Sequence, residues 1–106
     1  MSRHYILDEN RNAVEVEDCL DWARWLEEAD ELRRVGDDAA AGSRVSTVFL
    51  GLNHQWCEGG RPLIFETMVF GGPLDGEQQR YSTWQEAEAG HKAMLQRVSD
   101  TQGEED

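Results

Sequence analysis

Two runs in the middle of the chain, "RVSTVFL" (44–50) and "PLIFETMVF" (62–70), restrict the fold more than anything else in the sequence. Both are rich in β-branched and aromatic residues, which favour strands. Side chains of a strand alternate between its two faces. Alternation sets Val45, Thr47 and Phe49 against Ser46, Val48 and Leu50 in the first run. In the second it sets Leu63, Phe65 and Val69 against Ile64, Met68 and Phe70. Both faces carry apolar residues, so both need covering. Either chain from the same molecule wraps the second face, or that face meets a partner, for which a homodimer is the simplest arrangement.

The neighbouring segments supply the remaining elements. "HYIL" (4–7) and "AVEV" (13–16) flank the turn-forming "DENRN" and predict a hairpin. Asp18 is placed as an N-cap for a helix whose apolar stripe is Trp22, Trp25, Leu26, Ala29 and Leu32, with Gly36 as its stop. "GDDAAAGS" (36–43) reads as a loop of small polar residues. "GGPLDG" (71–76) predicts a turn and "EQQRYS" (77–82) the strand returning from it. Thr83 and Glu86 stand at capping-box spacing. Trp84, Ala87, His91, Met94, Leu95 and Val98 form the stripe of a second helix ending near Ser99. The order β-β-α-β-β-β-α, with short links between successive strands, predicts an α+β two-layer sandwich: an antiparallel sheet of about five strands and two helices. Residues 1–99 make the single domain, and 100–106 an acidic disordered tail.

A chain of 106 residues can bury a core without metal or disulfide staples. Its formal net charge of −12 argues against direct nucleic-acid binding, because phosphate contacts need lysine and arginine. The acids are unevenly placed. Residues 17–34 hold seven of them against three arginines, whereas residues 43–74 balance to zero. An acidic helical layer centred on Glu27, Glu28 and Glu31, beside a neutral apolar sheet, predicts two surfaces with separate roles. Cys19 and Cys57 are too few for a disulfide framework. With no membrane-length apolar run and no signal-peptide pattern, a cytoplasmic protein is expected.

Chemistry is sparse. His54 and Cys57 in "GLNHQWCEGGRP" (51–62) have one metal-ligand spacing, but a zinc site needs a second pair, so no metal and no cofactor are expected. Glu66 interrupts an apolar run. It either sits at an edge with water, pairs with Arg61 or Arg44, or is a tuned catalytic group acting with His54 across the strands. His91, on an apolar helix stripe, reads as a core histidine with one hydrogen bond. Trp56 is the loop tryptophan and a candidate contact residue. The glycines fit neither dinucleotide nor phosphate-loop spacing.

At "DWARWLEEAD", "VSTVFLGLNH", "LIFETMVFGGPLDGE" and "RYSTWQEAEAGHKAM" the sequence resembles a family of small proteins of tailed phages and prophage-bearing bacterial genomes. The resemblance covers most of the chain outside 36–43 and the tail. It implies an accessory phage or prophage protein in the host cytoplasm and carries no established activity. His54, Glu66 and Gly71–Gly72 belong to the recurring text. Asn53 replaces an aspartate common in the family. The text around Trp56 and Cys57 is glycine-rich in the family and lacks a cysteine, which counts against a thiol mechanism. The expected function is therefore a protein-interaction module with a host or phage partner, in its sharpest form an inhibitor of a host nucleic-acid-binding protein. The alternative is a small-ligand binder or enzyme built on the 51–62 loop with His54 and Glu66.

Overall fold

The computed structural model describes residues 3–53 and 60–103. Its elements are β1 (His4–Leu7), β2 (Ala13–Val16), α1 (Cys19–Glu28), β3 (Arg34–Ala40), β4 (Ser43–Phe49), β5 (Phe65–Phe70), β6 (Gln78–Tyr81) and α2 (Trp84–Gly103). The fold is α+β, as the sequence predicts, with every strand pair antiparallel. The strands divide into a β1–β2 ribbon and a four-stranded sheet of order β3-β4-β5-β6, rather than one sheet of five. The ribbon is tied to the chain leaving β4: the Tyr5 amide donates to the Gly51 carbonyl at 2.7 Å, and that of Asn53 to Arg3 at 2.9 Å.

The additional strand, β3, lies where a loop is expected. Glycine and aspartate are poor strand formers, but an edge strand tolerates them because one of its sides has no neighbour to satisfy. The β3–β4 hairpin turns on two residues, Ala41 (φ 50°) and Gly42 (φ 83°), between the paired Ala40 and Ser43. Both turn positions are left-handed, a geometry usually written Asn-Gly. An alanine at the first hides the turn from the sequence and costs energy, since its Cβ crowds the backbone there. Ala41→Asn is expected to raise stability by about 0.5–1 kcal/mol, read from the urea midpoint at unchanged slope.

Helix α1 begins as predicted. The Asp18 carboxylate accepts from the amides of Leu20 (2.8 Å) and Asp21 (3.2 Å). It ends early, at Ala29 rather than Gly36. By Arg33 the chain already pairs with the sheet: the Phe49 amide donates to the Arg33 carbonyl at 2.8 Å, and Arg33 Nε donates back to the Phe49 carbonyl at 3.1 Å. Leu32, placed on the helix stripe by spacing, is 69% exposed instead. Helix α2 has the expected capping box. The Glu86 amide donates to Thr83 Oγ1, and Glu86 Oε1 accepts from the Thr83 amide, both at 3.1 Å. It extends past Ser99 to Gly103, so residues 100–103 are helical and not tail. Gln96 donates to Asp100 (2.8 Å) and Thr101 to the Arg97 carbonyl (2.8 Å), and no breaker intervenes before the glycine.

The core lies between α2 and one face of the sheet. Val45, Thr47, Phe49, Phe65, Thr67 and Val69, the alternate residues of β4 and β5, are fully buried. Against them α2 buries Trp84, Ala87, His91, Met94 and Val98, all five from the predicted stripe. Phe49 joins the layers. Its ring lies 5.8 Å from that of Trp25 on α1 and 5.1 Å from Phe65, which in turn meets Trp84 at 6.2 Å.

Candidate functional site

Through this apolar core runs a chain of polar contacts. Thr67 Oγ1 lies 2.6 Å from Thr47 Oγ1, Thr47 Oγ1 lies 2.7 Å from His91 Nδ1, and His91 Nε2 lies 2.7 Å from Asp38 Oδ2. A carboxylate only accepts, so Nε2 carries the hydrogen toward Asp38. In the neutral ring Nδ1 then accepts from Thr47, and Thr47 accepts from Thr67. Every hydrogen in that direction has a partner. Reversing the chain would leave the buried Thr67 hydroxyl hydrogen without an acceptor among the described residues, a loss worth about 1–3 kcal/mol. Thr47 and Thr67 are fully buried and His91 nearly so, but the Asp38 side chain at the far end is 57% exposed. The chain thus fixes one carboxylate at the surface from inside the molecule.

Local backbone makes room for the ring. Pairing between β3 and β4 slips at Val35, a bulge that sends Val35 into the core cluster and sets Gly36 opposite Thr47. A Cβ on Gly36 would fall 2.6 Å from His91 Nε2. Gly36 is therefore the residue over which His91 lies, rather than a helix stop.

An Asp–His–Thr sequence of contacts suggests nucleophilic catalysis, but the geometry is not that of a nucleophile. The hydroxyl next to the histidine, Thr47, is fully buried and held between His91 and Thr67. The group that reaches solvent is a carboxylate, which binds cations and N–H donors.

Beside Asp38 a groove of about 500 Å³ runs between β3 and α2. Val35, Ala40 and Leu95 form its apolar part, and Glu88 and Lys92 stand on its α2 side. Strand β3 is an edge strand, with β4 on one side and no described strand on the other.

The opposite face of the four-stranded sheet has a different character. Ser46, Val48, Glu66 and Met68 are half-buried there, and Phe70 is 44% exposed. No described helix or strand packs over them. This face is not as apolar as alternation in β4 and β5 suggests, because flanking strands contribute charge. Arg80 Nε donates to Glu66 at 2.9 Å across the β5–β6 pair. Arg44 grips Asp37 with two bonds, at 2.8 and 2.9 Å. The guanidinium of Arg44 holds the Asp37 carboxyl below its ordinary range, with smaller help from Arg34 and His91. Arg61 does the same for Glu86 through two 3.0 Å bonds.

These pairings correct one expectation. Glu66 is in a structural ion pair, but with its cross-strand neighbour Arg80; Arg44 and Arg61 have other carboxylates. His54, Trp56 and Cys57 lie outside the described residues, so the proposed meeting of His54 with Glu66 does too. Glu27, Glu28 and Glu31 are exposed as expected, the first two on α1 and Glu31 just beyond it. Cys19 is an exposed free thiol at the start of α1. Among the described residues no three His, Cys, Asp or Glu side chains converge to hold a metal ion, and no helix is long and apolar enough to cross a membrane.

Reading from sequence misses Asp38 and both threonines. Their signal is present all the same. Thr47 and Thr67 are the polar members of the buried alternation in two adjacent strands, and His91 is the polar member of the helix stripe facing them. Polar residues at core positions of three facing elements predict a bonded chain, because unpartnered they would be costly. No family model, no curated protein and no solved structure matches the chain.

Proposed function

We propose that the protein is a protein-interaction module of the phage or prophage accessory kind, working as a homodimer. The observation that supports it is the uncovered sheet face, with Val48, Met68 and Phe70 among charged neighbours. Methionine, phenylalanine and arginine are the residue types that interfaces concentrate. The face also carries both signs of charge, from Arg34, Arg44 and Arg80 against Asp37 and Glu66. A two-fold axis through it sets apolar on apolar and lets arginines of one copy meet acids of the other. The acids at Glu27, Glu28 and Glu31 then remain free for a basic partner. In the sharper form of this reading, that layer covers the DNA-contacting surface of a host nucleic-acid-binding protein.

Sedimentation velocity tests the assembly. The wild type is expected to sediment as a dimer at micromolar concentration. Met68→Lys with Phe70→Glu is expected to give a monomer that melts cooperatively. A wild type that stays monomeric at every accessible concentration would overturn the dimer. Reversing the acids (Glu27→Lys, Glu28→Lys, Glu31→Lys) is expected to leave the sedimentation coefficient unchanged while abolishing binding to basic partners.

A further inference from the structure

We propose that the groove between β3 and α2 binds an extended basic peptide segment of a partner protein, which adds to the free edge of β3 as a further strand and sets an arginine or lysine on Asp38. This site is separate from the sheet face on which the dimer reading rests, and neither depends on the other.

The edge supplies the backbone half of recognition. Alternate N–H and C=O groups of an edge strand point away from the sheet and are open to an incoming strand. Along β3 the side chains near that edge are small: Gly36, Ala39 and Ala40, followed by Ala41 and Gly42 in the turn. Among the described residues nothing bulky on that stretch of β3 keeps a second backbone from hydrogen-bond distance. Residues Gly36, Asp38 and Ala40 face the α2 side, by their register with Thr47, Val45 and Ser43. A strand laid beside them therefore directs every second side chain toward the flank of α2, into the space lined by Val35, Ala40 and Leu95. That spacing alternates one side chain in the groove with one on the solvent side.

Asp38 supplies the charge. Its Oδ2 is occupied by His91, so the carboxylate is oriented before any ligand arrives. A carboxylate already held in place loses little freedom on binding, which favours affinity. Glu88 adds a second acid across the groove and Lys92 opposes it, and the chain as a whole carries −12. Charge complementarity therefore selects a cationic segment over an acidic one. Three buried polar side chains spent on orienting a single exposed carboxylate have a purpose if that carboxylate binds something.

The probe is a pool of capped octapeptides with arginine or lysine fixed at the centre and small or β-branched residues elsewhere. A matched pool has glutamate at the centre. Binding is followed by amide chemical shifts of the intact protein. The basic pool is expected to bind, to shift the amides of residues 35–40, and to weaken at least tenfold in Asp38→Asn. That substitution removes the charge but keeps an oxygen to accept from His91. Lys92→Glu is expected to tighten binding several-fold. N-methylation of the best peptide at alternate residues is expected to abolish binding in one phase and spare it in the other. Four results would each overturn the proposal: no binding by the basic pool, equal binding by the glutamate pool, indifference to Asp38→Asn, or shifts confined to Val48, Met68 and Phe70. The last would leave the sheet face as the contact surface and remove the groove.

Discussion

Phe49→Ala is expected to cost about 3–5 kcal/mol of folding stability, the range for removing a fully buried aromatic side chain. Phe49 has no exposed surface. Its ring meets Trp25 on α1 and Phe65 on β5, and it shares a core cluster with Leu7 on β1. The cavity left behind has walls from different elements, so it cannot collapse without moving one of them. A domain of this size has about 5–15 kcal/mol in total, so the variant keeps little of its margin. Urea denaturation followed by tryptophan fluorescence measures this directly, because Trp25 and Trp84 report from the two sides of the cluster. Phe49→Leu is expected to cost less than half as much. If Phe49→Ala cost under 1 kcal/mol, this ring would not be what joins α1 to the sheet.

Gly36→Ala is expected to destabilise by about 2 kcal/mol, near the middle of the range for overpacking a core. The added methyl carbon would lie 2.6, 2.7 and 2.8 Å from three atoms of the His91 ring. A surface side chain would rotate away. His91 cannot do so cheaply, because its two nitrogens are bonded to Thr47 and Asp38. Relief requires breaking the polar chain or pushing α2 off the sheet. His91→Ala alone should also destabilise, since it leaves Thr47 short of a partner and opens a cavity. The two changes together should cost clearly less than their sum, because the alanine at 36 then occupies space the ring has left. A double-mutant cycle by thermal melting tests this, and strict additivity would show that the ring and Gly36 are not in contact. The same variants bear on the groove, because losing His91 frees Asp38 to rotate.

Much of the fold was legible in the sequence where local chemistry and burial agree. Asp18 and the Thr83–Glu86 box sit at helix starts because their side chains satisfy amides that no intrahelical carbonyl can reach. Trp84, Ala87, His91, Met94 and Val98 of the second helix stripe are buried as their spacing demands, and Leu95 is half-buried. Legibility failed where pairing overrode propensity. The segment from Arg34 to Ala40 has a glycine, two aspartates and two alanines at its end, none of which favours a strand, and it is one. Its identity comes from β4 beside it and from a turn with an unusual alanine. For the same reason the chain does not stay helical as far as Gly36: the carbonyl of Arg33 accepts from the Phe49 amide of the sheet.

The candidate sites divide along the same line. His54, Trp56 and Cys57 lie outside the described residues, and Glu66, the suggested catalytic partner of His54, is paired with Arg80 on the next strand. Asp38 has no sequence context that marks it out. It matters because two strands and a helix, distant in sequence, each bring one polar group into line behind it.

Local rules therefore account for whatever depends on neighbours three or four residues away or on alternation: the fold class, the helix starts, the β1–β2 and β5–β6 hairpins and the buried stripe of α2, but not which face of β4 and β5 is buried. Only the tertiary structure decided the edge strand, the division into two sheets, the partner of Glu66 and the Thr67–Thr47–His91–Asp38 chain. Each of these is a contact between residues far apart in the chain. Backbone pairing and a buried hydrogen bond are decided by which groups meet in space, and no local preference records that meeting.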